Sequence, residues 1–144
     1  MDVPDAAKDV KRFIKTGEAL QAQAPYATFW CWMHALEVMV PRVQQDPSLQ
    51  GFVIQLMDSV EQMKTQHGQL SSVSDKDTGR ESVALLAAKI FQQADREDHA
   101  GATMGTALKF RTASTLFDVC KAMNPDIDEV GSINQESRAV CVRA

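Results

Sequence analysis

The chain has 144 residues, a hydrophobic fraction of 44% and a formal net charge of −4. That length suits one domain or two very small ones and is enough to bury one real core, and nothing in the acidic balance suggests nucleic acid as the main partner. Apolar runs such as residues 83–88 fall far short of the about 20 residues of a membrane span, and the acidic opening Met-Asp-Val-Pro-Asp lacks the apolar stretch of a signal peptide.

Five prolines and seven glycines fall between periodic segments, which favours helices over many short strands. The three cysteines, Cys31, Cys120 and Cys141, are odd in number and lack paired spacing, as expected for a reducing compartment. A cytoplasmic location follows as the expectation.

Pro4 and Asp5 open a first helix, since proline suits the first turn and an acid suits the positive end of the dipole. Ala6, Val10, Phe13, Gly17, Leu20 and Ala24 then recur at helical steps and predict its buried face. Lys8, Lys11, Arg12 and Lys15 sit away from that face. They suit a solvated surface, or one that attracts acidic lipid or an acidic partner.

Pro25 starts a second helix with an aromatic face: Tyr26, Phe29, Trp30, Met33, Leu36 and Val40, with Trp32 off it. Such a stripe predicts core rather than a cofactor box. Cys31 and His34 lie three apart, a spacing open to metal, but two ligands do not close a zinc site. Pro41 stops this helix. Asp46-Pro47 then caps a third helix whose inner face is Leu49, Phe52, Leu56, Val60 and Met63, with Gly68 as its stop. Three helices on short loops predict an antiparallel three-helix bundle over residues 1–68.

Beside that inner face runs a second row, Val53, Met57, Glu61 and Lys64, with Asp58 next to it. The row suits a bundle's partly exposed shoulder. It also suits the wall of a groove, facing Met33 and Glu37 of the second helix, for an amphipathic helix carrying leucine and arginine.

Residues 69–79 read as a polar loop. Thr78-Gly79-Arg80-Glu81 then matches a capping box for a fourth helix that buries Val83, Leu86, Ala87, Ile90 and Ala94. Asp95, Glu97, Asp98 and His99 follow as a charged corner. Consecutive helical positions diverge, and neither a zinc-protease nor a calcium-loop pattern is present. The corner is therefore expected to cap helix ends, not to catalyse, and no metal or cofactor is expected anywhere in the chain. Ala100, Gly101 and Gly105 let the backbone turn. A fifth helix, clearest from Phe110, carries Ala113, Leu116, Phe117, Cys120 and Met123. Asn124-Pro125 ends it, and Ser132 opens a last, short helix with Ile133, Val140 and Val142.

Residues 91–119 resemble the N-terminal domain of the Vta-type family, also called LYST-interacting proteins. Phe91, Ala94, Asp95, Glu97, Asp98, Ala100 and Gly101 are similar to its F-x-x-A-D-x-E-D-R-A-G pattern, and Phe110, Ala113, Ser114, Asp118 and Val119 to its F-Y-x-A-S-x-x-x-D-V. Residues 25–36 and 52–68 resemble two further family stretches, with Cys31 and Leu56-Met57-Asp58 in register. His99 stands where the family has arginine, Arg111 replaces an aromatic, and the span from Gly101 to Ser114 is one residue shorter.

The resemblance implies an all-α fold of two antiparallel three-helix modules of the microtubule interacting and transport (MIT) type, packed as one helical domain. The first covers residues 1–68 and the second residues 80–144. It implies a non-enzymatic adaptor that binds the C-terminal amphipathic helices of ESCRT-III subunits, through Met33, Val53 and Met57 as groove floor and Glu37, Asp58 and Glu61 as acidic rim. It also implies regulation of the ESCRT AAA ATPase in multivesicular body sorting and membrane scission, through a C-terminal region that these residues do not contain. Membrane contact is then expected to be indirect, at endosomes, through partners.

Overall fold

The computed structural model describes residues 1–124, and every regular element among them is helical. The chain divides into two compact units, Met1–Gly79 and Arg80–Ala144.

In the first unit a 3-10 segment, Asp5–Val10, leads into α1 (Lys11–Leu20), followed by α2 (Pro25–Met39). Two short 3-10 turns, Val40–Gln44 and Pro47–Leu49, connect to α3 (Gln50–His67), and a single turn, α4 (Ser71–Ser74), closes the unit. Contacts fix α1 and α2 as antiparallel: Thr28 Oγ1 donates to the Gly17 carbonyl at 2.6 Å, and Trp32 Nε1 donates to that of Ile14 at 3.2 Å. Pro25 sits in the first turn of α2, where its missing N–H costs nothing and its fixed φ suits the helix.

α2 is the central helix, packed against α1, α3 and α4. Its buried residues are Ala27, Thr28, Phe29, Trp30, Cys31, Trp32, Ala35 and Met39, which corrects the single aromatic face expected from sequence. Tyr26, Met33 and Leu36 are only partly buried and Val40 is exposed, whereas Trp32 is core. A helix flanked by three neighbours has only a narrow solvent side, here around Met33 and Glu37, so its pattern marks no single buried face. The two indoles keep their N–H groups satisfied, Trp32 at Ile14 and Trp30 at the Ser72 carbonyl, 2.7 Å away, as burial demands.

From the 3-10 segment through α1 to the start of α2 the buried set is Ala7, Val10, Phe13, Ile14, Gly17, Leu20 and Ala24, while Ala6 is exposed. The expected face began one residue early because the opening turns are 3-10 and broken at Ala7 (φ −116°). A 3-10 turn advances in steps of three residues, not 3.6. On α3 the inner row Phe52, Leu56, Val60 and Met63 is buried, with Leu49 just before it. Asp46 accepts from Ser48 N at 3.2 Å, an N-cap on the 3-10 turn that precedes the helix.

α5 spans Lys76–Gly101, so Thr78 and Gly79 are inside a helix and not at its cap. Asp75 takes that role, accepting from Thr78 N at 3.1 Å. α6 runs Met104–Met123, earlier than expected, because Thr103 forms a capping box with Thr106. In the second unit α5 and α6 run antiparallel. Glu97 pairs with Lys109 near the joint, the rings of Phe91 and Phe110 meet edge-on at 5.6 Å, and Cys120 Sγ lies 3.6 Å from the Arg80 carbonyl at the far end. Phe110, Ala113, Leu116, Phe117 and Cys120 are fully buried, and burial pushes the Cys120 thiol up to about 12. The expected last helix lies outside the described residues.

Candidate functional site

α3 carries two rows of opposite character. Phe52, Leu56, Val60 and Met63 face the core. Ile54, Met57 and Glu61 follow one another at steps of three and four on another side, with Asp58 beside them, and all four are exposed. Ile54 and Met57 keep 50% and 47% of their surface in water, although each would gain by burial. Gly51, three residues before Ile54, has nothing within 4 Å of where a Cβ would stand. The result is an apolar strip that narrows to glycine at one end and ends in carboxylates at the other.

The residues singled out from sequence divide into three kinds. Met57, Asp58 and Glu61 are exposed together on α3, and Glu37 is exposed on α2. Met33, one turn before Glu37, is half-buried. Val53 is only 6% exposed, so it packs inside the unit and does not line an open floor. Sequence reasoning passed over Ile54, which takes the outer place beside Val53. One residue is about 100° of helix rotation, and spacing alone does not choose between the two: Val53 stands four residues from Met57 and Ile54 three, so either could share its face. Glu37, Asp58 and Glu61 make no ion pair among the described residues.

The other candidates lie within the packing or at the end of α5. Cys31 is fully buried, and the His34 ring packs edge-on against Phe13 at 4.5 Å. Among the described residues no three His, Cys, Asp or Glu side chains gather as a metal site would require. The charged corner belongs to the last turns of α5, which continues to Gly101. The chain reverses there, where Gly101 has φ +119°, a value side chains rarely adopt. His99 Nδ1 lies 2.7 Å from the Asp95 carbonyl. That bond, and then the Asp95 charge, raise the His99 pKa above its ordinary value. Asp95, Glu97 and Asp98 therefore do not cap helix ends as expected. Thr103 caps α6, and Glu97 ties α5 to α6 through Lys109.

No helix among the described residues is long and apolar enough to cross a membrane. A family profile described as "Vta1 like" matches residues 9–143. The chain is similar to the vacuolar protein sorting-associated protein VTA1 homolog of Bos taurus, 27% identical over 128 residues, covering 88% of this chain and 42% of that protein. The mouse homolog is 28% identical over 128 residues, covering 88% and 41%. The Dictyostelium discoideum homolog is 25% identical over 130 residues, covering 89% and 24%. The chain thus spans about two fifths of the length of its mammalian relatives, 42% and 41%.

Proposed function

The chain belongs to the Vta1-like family, and on that premise we propose that it is a non-enzymatic adaptor of the sorting machinery for which its relatives are named. Its ligands are the C-terminal amphipathic helices of ESCRT-III subunits, and its first unit holds them along α3 where that helix packs with α2. This capture assists the ESCRT AAA ATPase in multivesicular body sorting, in the cytoplasm at endosomal membranes.

The observation that supports this reading is the exposed strip on α3. Two large apolar side chains, Ile54 and Met57, lie in water beside Asp58 and Glu61. A helix presenting leucines would cover the apolar pair, and its arginines would meet Asp58, Glu61 and Glu37. Helix-in-groove recognition reads anchors at this spacing, and the carboxylates set orientation and encounter rate more than raw affinity.

Titration of labelled ESCRT-III C-terminal peptides against this chain tests the proposal. Saturable binding by at least one subunit tail is expected. Asp58→Lys combined with Glu61→Lys should weaken it by roughly tenfold or more. No saturable binding by any tail overturns the reading, and unchanged affinity in the double variant moves the site elsewhere.

A further inference from the structure

Four of the lysines and arginines in the unit Met1–Gly79 fall between residues 8 and 15: Lys8, Lys11, Arg12 and Lys15. The others, Arg42, Lys64 and Lys76, are scattered. All four are exposed, and their steps of three, one and three set them along one side of a helical segment. Two of the four nearby acids are occupied. Asp9 is held at both oxygens by Arg42. Glu18 accepts from the Met1 amine at 3.0 Å and lies 3.6 Å from Lys15. Asp2 and Asp5 lie before the stripe. The Arg12 guanidinium sits 4.5 Å from the centre of the Phe13 ring, which limits its wandering.

We propose that this face docks the protein directly onto an anionic lipid surface. The choice of lipid over an acidic protein helix rests on what the face lacks. Large apolar side chains begin to be exposed only at Val40, so this segment offers no anchor of the kind a protein partner would cover. The apolar side of α1, with Phe13, Ile14 and Leu20, is spent on the core. A surface of diffuse negative charge needs no anchor, and each cation held near it adds to the attraction. Lipid headgroups also move sideways to meet a fixed pattern of charge, whereas the phosphates of a duplex are held in their own lattice. The attachment is peripheral and salt-sensitive. It shares no residue with the α3 strip, so it stands whether or not tail peptides bind there.

Flotation of the 144-residue chain with phosphatidylcholine vesicles, with and without phosphatidylserine, tests the proposal. The protein is expected to float only with the phosphatidylserine vesicles, and less as salt rises. Each cation near the surface is worth about fivefold in partitioning, so Lys8→Gln with Lys11→Gln should lower it about 25-fold. The charge-matched pair Lys76→Gln with Lys121→Gln should leave it unchanged. Equal flotation with both vesicles, or none with either, overturns the proposal. So does an equal loss in the two double variants, which would make net charge the cause, or preferential retention on duplex DNA in competition.

Discussion

The indole of Trp32 lies so close over Gly17 that a Cβ there would stand 2.5 Å from Nε1 and 2.8 Å from Cδ1. This contact is what lets α1 and α2 approach closely enough for Trp32 to reach the Ile14 carbonyl and Thr28 to reach that of Gly17. Gly17→Ala gains helix propensity, about 1 kcal/mol. It must also displace a ring that is 5% exposed and hydrogen-bonded, and overpacking of this kind costs about 1–3 kcal/mol. The net effect is expected to be destabilising, seen as a lower urea midpoint. Gly51→Ala is the control: its Cβ meets nothing, so propensity acts alone and the midpoint should rise.

The inner face of α3 was legible in the sequence because one side is core and another is water, so apolar residues recur at the helical period. α2 was not, because neighbours cover it on most sides and periodicity carries no direction there. The capping of α5 was misplaced for a different reason. Thr78-Gly79-Arg80-Glu81 and the acid at position 75 both suit a cap, and what decides between them is remote in sequence. Gly79 must lie under the Trp30 ring, which leaves no room for a Cβ and reaches past it to the Ser72 carbonyl. At the candidate site the acidic side chains were readable as exposed, whereas the choice between Val53 and Ile54 as the inward residue depends on how far α3 is rotated against its neighbours.

The Asp9–Arg42 pair ties the opening 3-10 segment to the turn after α2. The Arg42 guanidinium, chiefly through its hydrogen bonds, holds the Asp9 carboxyl below its ordinary value of 3.8. A depressed carboxyl pKa contributes stability that is present above the unfolded value and is lost as pH falls through the folded one. Asp9→Asn should therefore lower the urea midpoint modestly at neutral pH, since both partners are largely in solvent. The difference from the parent should vanish in strong acid. A difference that persists there would mean that the pair acts by packing and not by charge.

His99 gives the opposite sign. Its pKa is raised first by the bond to the Asp95 carbonyl and then by the Asp95 charge. The stability it contributes is fully present below the ordinary histidine value of 6.5 and is lost as pH rises through the elevated folded value. By NMR, His99 should titrate above that ordinary value. Asp95→Asn should remove only the smaller part of the shift, because the carbonyl of residue 95 remains. Complete loss of the shift in Asp95→Asn would make the side chain, not the backbone, the dominant partner.

Val53 and Met57 separate folding from recognition. They stand one turn apart on α3, but Val53 is 6% exposed and Met57 is 47% exposed. Val53→Ala removes buried methyl groups and leaves a void, and should cost roughly 1–3 kcal/mol of stability. Its effect on the affinity of the folded chain for a tail peptide should be small. Met57→Ala removes a side chain already half in water, so stability should move by less than about 0.5 kcal/mol, while affinity falls about tenfold if the side chain is an anchor. Ile54→Asp extends the test: it puts a charge on the exposed strip without touching the core, and should weaken binding with little effect on the unfolding midpoint. The informative comparison is between the two columns of data for each variant. If Val53→Ala lowers affinity in the folded state while Met57→Ala and Ile54→Asp leave it intact, the ligand does not cover this strip, and the water-facing pair on α3 serves some other contact.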